Sequence, residues 1–104
     1  MAVTVVTDEN FAEALKSKEK TVVKYYAGWC GTCRLLAPKY RRLSDEEQYD
    51  GVAFLDVDAE YNPEARKLAG VTNLPFVATF KGGEMVEAMP VSKIEKVIEL
   101  LEKL

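Results

Sequence analysis

A chain of 104 residues suffices for one domain and not two, and 48% apolar against 30% charged residues is ordinary globular composition. A formal charge of -3 with no dense basic run cannot neutralise a row of phosphates, and no apolar stretch approaches a membrane span; neither nucleic acid nor a membrane is an expected partner. Histidine is absent, which removes the usual general base and the commonest metal ligand, and excludes Ser-His and Cys-His nucleophiles.

The opening MAVTVVTDENF has neither a basic segment nor a long apolar one, so no secretory signal is read. The expected location is the cytoplasm, although a mature exported chain would start the same way. Residues 3–6 form a short apolar run, and Thr7 or Asp8 can cap the helix in which Phe11, Ala14 and Leu15 are spaced. Lys16 and Lys18 suit its C-terminal end. Residues 21–27 are apolar on both alternating faces except at Lys24, the mark of an interior strand.

Gly28 breaks that strand, and Trp29-Cys30-Gly31-Thr32-Cys33 follows. Residues 34–48 place Leu35, Leu36, Tyr40 and Leu43 at helical spacing, with a kink expected at Pro38. Ser44-Asp45-Glu46-Glu47 imitates a capping box but reads as a solvated helix tail. Residues 52–57 form another buried strand. Asn62 as N-cap, Pro63 at the first helical position and Gly70 just past the end define a helix over 63–69.

Residues 76–81 and 84–89 read as a hairpin around Gly82-Gly83. Ser92-Lys93-Ile94-Glu95 has the capping-box pattern, and Ile94, Val97, Ile98 and Leu101 lie on one helical face. Tyr25, Tyr26, Phe54, Phe76 and Phe80 are expected in the core. The order βαβαβαββα predicts one α/β domain over residues 1–104, a mainly parallel sheet with helices on both faces and an antiparallel edge.

Both cysteines of the chain lie in one C-x-x-C, directly after a strand and at a helix start. There the unpaired N–H groups and the macrodipole favour an anion, so the first thiol ionises more readily. The second lies one turn further in. Attack by Cys30 on a substrate disulfide gives a mixed disulfide, which Cys33 resolves. The competing readings are two core cysteines, or half a zinc site lacking its other ligands; an iron–sulfur cluster would need a dimer. No metal is expected.

At these residues the chain resembles the thioredoxin family, over nearly its whole length. The matching segments are Ala27-Gly28-Trp29-Cys30-Gly31-Thr32-Cys33, Ala37-Pro38, Asp56-Val57-Asp58, Asn62-Pro63, Leu74-Pro75 and Phe80-Lys81-Gly82-Gly83-Glu84. The resemblance implies a thioredoxin fold with a central mixed sheet, and thiol–disulfide exchange on protein substrates by a monomer. It implies no bound cofactor, and recycling by a thioredoxin reductase or another dithiol partner.

Position by position, Cys30 matches the exposed attacking cysteine and Cys33 the more buried resolving one. Trp29 matches the shielding aromatic residue. Pro75 matches a cis-proline beside the disulfide, an ordinary trans loop proline being the alternative. Gly31, Thr32 and Leu74 should complete the rim that substrates contact.

The chain departs from the family at several positions. Lys24 stands where the family usually has a buried Asp, Phe54 where it often has a Lys, Thr32 where it usually has Pro, and Met89 where a glycine lines the groove. Lys24 either snorkels to a sheet edge or lies near the cysteines. Near them and protonated, it would favour thiolates and make the disulfide more oxidising than in a typical thioredoxin; burial could instead strip its proton. A reading of another class is an adaptor that binds a partner through Trp29 and Pro75.

Overall fold

The structure is a computed structural model and describes residues 3–104. Its strands are β1 (Val3–Val5), β2 (Lys20–Tyr26), β3 (Val52–Asp58), β4 (Phe76–Lys81) and β5 (Glu84–Pro90). The helices are α1 (Phe11–Ala14), α2 (Gly31–Ser44), α3 (Pro63–Ala69) and α4 (Ile94–Glu102), with a 3-10 turn at Glu47–Tyr49. The element order is the expected one. The strands form one five-stranded sheet in the order β1-β3-β2-β4-β5.

The sheet is mixed, not mainly parallel. β3 pairs in parallel with β1 and β2, whereas β4 is antiparallel to both β2 and β5. The register gives the reason. The chain leaves β3 at Asp58, opposite Tyr26, and enters β4 at Phe76, opposite Tyr25. The α3 segment thus returns it to the end of the sheet it left, and β4 runs back.

Alternation along β2 sorts the core into two layers. Val23 and Tyr25 face one side with Phe11, Leu55, Val57, Phe76 and Phe80, under α1 and α3. Val22 faces the other with Tyr40, Leu43, Phe54, Val97 and Leu100, under α2 and α4. Lys24 shares the parity of Val22. The buried hydroxyls of two tyrosines are paired: Tyr25 donates to the Ala65 carbonyl at 2.9 Å, and Tyr40 to those of Val22 and Leu55 at 3.1 and 2.9 Å, whereas those of Thr21 and Thr79 have no hydrogen-bond partner.

Helix ends differ most from expectation. α1 is a single turn with Asn10 at its N-cap, not Thr7 or Asp8. α2 starts at Gly31, three residues early, because the Cys30 sulfur caps it, and it ends at Ser44, running through Pro38. Asn62 occupies the N-cap position of α3, yet its side chain does not cap it. The Asp8 carboxylate does so from 57 residues away, accepting from the N–H groups of Glu64 and Ala65 at 3.1 and 2.9 Å. Asn62 instead accepts from the Asp8 N–H and donates to the Asp58 carbonyl, both at 2.9 Å. The Ser92 pattern also yields no side-chain cap: α4 has Lys93 at its N-cap position.

The hairpin needs left-handed backbone at both turn residues, and Gly82 and Gly83 supply φ of 61° and 83°. β5 carries a bulge opposite Thr79 and Phe80. Among the described residues, no helix is long and apolar enough to cross a membrane.

Candidate active site

Cys30 ends the β2–α2 turn in an extended conformation, and its sulfur accepts a hydrogen bond from the Cys33 N–H at 3.2 Å. The sulfur thus occupies the place where a Ser or Asp oxygen usually caps a helix. A thiolate there meets the positive end of α2 and a donor aimed at it, so ionisation is favoured. Cys30 and Cys33 are joined as a disulfide, with Cα atoms 5.2 Å apart. Their exposures differ less than expected: Cys30 is 7% and Cys33 3% accessible.

The rim is apolar and uneven. Trp29 is 69% accessible, more open than a shielding residue suggests, and Gly31 and Thr32 are also exposed. Leu74 and Tyr26 pack against the small cluster of Ala27, Cys30 and Cys33. The Leu74–Pro75 bond is cis, and the Pro75 carbonyl accepts from the Val91 N–H at 3.0 Å.

A shallow groove of about 280 Å³ runs between Thr32, Leu74 and Pro75 on one side and Pro90 and Val91 on the other. Met89 is not part of it. Its side chain packs toward the α2/α4 core, so Pro90 and Val91, which the sequence did not single out, form the far wall.

Beneath Cys33 lies a cavity of about 290 Å³, bounded among others by Lys24, Tyr26, Arg34, Arg41 and Asp56. Lys24 is 2% accessible on the central strand β2 and reaches no sheet edge. Register sets Lys24 opposite Asp56 on one face, and Lys24 Nζ lies 3.5 Å from Asp56 Oδ1. The ammonium also sits 4.9 Å from the Tyr40 ring centroid and 5.7 Å from that of Tyr26.

Burial pushes the lysine's pKa down and the carboxyl's up; the attraction between the two opposes both shifts. Phe54 has no part in the cavity. It is fully buried, with Tyr40 edge-on at 5.4 Å. The family's acid on β2 and base on β3 are here exchanged, with the carboxylate two residues further along β3. Tyr26, expected in the core, is half-buried and lines this cavity. Asp56, Arg34 and Arg41 were not readable as site residues, because nothing local marks the register that gathers them.

A dithiol pair at a strand-to-helix turn, with one sulfur capping the helix, defines a thiol–disulfide exchange centre. The thioredoxin family model matches residues 2–103, and the chain belongs to the thioredoxin family. It is 36% identical to a thioredoxin of Staphylococcus haemolyticus over 110 aligned positions, covering 99% of this chain and 98% of the relative. It also matches a putative protein disulfide-isomerase of Schizosaccharomyces pombe, 31% identical over 78% of this chain and 16% of that one. Spinach chloroplast thioredoxin f superposes with a TM-score of 0.90 at 28% identity, over 98% of this chain and 92% of that one. Oxidised mitochondrial thioredoxin 3 of Saccharomyces cerevisiae gives 0.88 at 25%, over 98% and 95%. The protein is a thiol–disulfide oxidoreductase. Family membership implies protein disulfides as substrates and recycling by a reductase in general terms.

Proposed function

We propose that Cys30 attacks protein disulfides, that Cys33 resolves the mixed disulfide, and that the couple is poised on the oxidising side of a typical thioredoxin. The observation that carries the first part is the Cys30 sulfur at the N-cap of α2, receiving the Cys33 N–H. In each turnover the dithiol gives two electrons and two protons to the substrate disulfide, and the Cys30–Cys33 bond forms. Thr32, Leu74, Pro75, Pro90 and Val91 offer an extended substrate segment a groove, and Trp29 an apolar contact.

The oxidising poise needs a different origin from a lone Lys24. Asp56 offsets that ammonium, and the surplus positive charge around the cavity comes from Arg34 and Arg41 on α2. Cations near the sulfurs stabilise thiolates and hence the reduced state. We place the protein in the cytoplasm as a monomer, regenerated by a flavoprotein reductase or a small dithiol. The adaptor reading has no observation of its own in its favour.

Two measurements test this. Cys33→Ser protein should accumulate mixed disulfides with a disulfide-bonded test protein, while Cys30→Ser should form none; the absence of any adduct would remove the assignment of roles. Equilibration with glutathione should give a potential above the roughly -270 mV of thioredoxin, and a value at or below it removes the oxidising poise.

A further inference from the structure

Charge is not spread evenly over this chain. α2 carries Arg34, Lys39, Arg41 and Arg42 and no acidic residue, in a protein whose net charge is -3. At helical spacing the four cations fall on one broad arc, away from the buried Cys33, Leu36, Tyr40 and Leu43. All four are exposed, and no ion pair of the described residues includes any of them. On the opposite face of the sheet the sign reverses. There Asp58, Glu60 and Glu64 lead from β3 into α3.

The basic face also has apolar surface to cover. Leu35, among the cations, is 72% accessible. Toward α4, Lys39 and Arg42 border a groove of about 300 Å³ whose apolar lining is Leu43, Ile94 and Ile98. Two acids border it as well. Glu46 lies past the end of α2 and accepts from the Gln48 amide at 2.7 Å, and Glu95 sits in the first turn of α4, where the helix end offsets its charge.

We propose that the outer face of α2 docks acidic protein substrates, in which Asp or Glu and an apolar residue lie several positions from the cystine that Cys30 attacks. The proposal rests on the disulfide-exchange reading and names the substrate class that this site prefers. The face is continuous with the dithiol, because Cys30 is the N-cap of the same helix. Arg42 sits about 18 Å along the helix axis from Cys30, a span that an extended segment covers in about six residues.

Charge complementarity selects the occupant. Cations that have no carboxylate of their own attract an acidic segment, and the acids at the start of α3 turn it away from the other face. A phosphate backbone would neutralise the cations but leave Leu35 and the groove uncovered, so a protein segment fits better. Docking raises the rate of productive encounter and leaves the exchange chemistry as described. At physiological salt such charges act over about 8 Å, which makes the effect sensitive to ionic strength.

The probes are synthetic peptides whose cysteine is joined as a mixed disulfide to thiopyridine, a neutral leaving group read by absorbance. They are identical except for a run of Glu, Gln or Lys about six residues from the cysteine, a separation set by the strand rise. At low salt the Glu peptide should react with reduced protein about tenfold faster than the Gln peptide, and the Lys peptide more slowly than either. The differences should shrink as salt is raised. Lys39→Glu combined with Arg42→Glu should bring the Glu-to-Gln rate ratio below one. Arg66→Glu with Lys67→Glu, at exposed positions of α3, changes net charge equally and should keep most of the preference.

Equal rates for the Glu and Gln peptides in wild type overturn the proposal. So does a ratio untouched by the α2 reversal, or lowered as much by the α3 reversal. A single-stranded oligonucleotide that competes as well as a cysteine-free Glu peptide overturns the choice of a protein partner. Should the α2 reversal not fold, Lys39→Gln with Arg42→Gln takes its place, and a ratio still at the wild-type value overturns the docking site. No reaction with any of the three peptides removes the exchange reading itself, an outcome distinct from loss of the preference.

Discussion

The N-termini of α2 and α3 are built alike and used differently. Each helix begins just after a parallel strand, β2 or β3, at the same end of the sheet. Each presents unpaired N–H groups that attract an anion. At α3 the anion is the Asp8 carboxylate, delivered by the β1–α1 loop and locked by the reciprocal bonds of Asn62. At α2 it is the Cys30 sulfur, which belongs to the helix's own leading residue, in the small cluster against which Leu74 packs. The same local field serves stability where the anion is a fixed carboxylate, and chemistry where it is a group that can bond to another sulfur.

The sharpest break of this comparison is at Cys30. Cys30→Ser keeps an oxygen at the N-cap of α2, so melting temperature should match that of the reduced wild type within a few degrees, while disulfide reduction falls to background. Residual turnover would mean that another group attacks. The matching change at α3, Asp8→Ala, should do the reverse and leave alkylation of Cys30 unaltered.

The next effect is in the ion pair. Replacing Asp56 alone with Leu leaves the Lys24 charge buried and should cost about 3–5 kcal/mol in denaturant unfolding. Lys24→Met combined with Asp56→Leu should equal or exceed wild-type stability by about 1–4 kcal/mol. A double variant as unstable as the single one would show that the pair is needed for the fold.

That advantage should depend on pH. Asp56, raised from 3.8, contributes stability below that value and loses it as pH rises through its folded pKa. Lys24, lowered from 10.5, contributes stability above that value and loses it as pH falls through its folded pKa. Both groups therefore cost most in the middle of the range. The gap between the double variant and wild type should be widest near neutrality and shrink toward both extremes; a constant gap contradicts these shifts.

The smallest effect belongs to the α3 cap. Asp8→Ala should lower stability by about 0.5–2 kcal/mol, and Asn62→Ala should act on the same network, so the two losses should not add. Additive losses would mean that Asp8 and Asn62 act independently.

The C-x-x-C at a strand-to-helix turn, the helix over 63–69 with Gly70 at φ 66°, and the hairpin at Gly82-Gly83 were legible because each is written in adjacent residues. The cap of α3 was misread for the same reason: Asn62 has the right type and place, and nothing nearby shows that Asp8 reaches across. Lys24 is visible in the sequence as an anomaly in an apolar strand, but nothing local names its partner. Both Phe54 and Asp56 share its face, and only the pairing of β2 with β3 selects Asp56.

By itself the sequence determined what periodicity and local chemistry can encode: the order of elements, the apolar strands, the glycine turns and the dithiol at a helix start. The tertiary structure alone decided the direction of β4, the distant cap on α3, the far wall of the groove at Pro90 and Val91, and the exchanged charges under Cys33. These depend on strand register and on contacts between residues far apart in the chain, and a register shift of one residue would turn Lys24 or Asp56 to the opposite face.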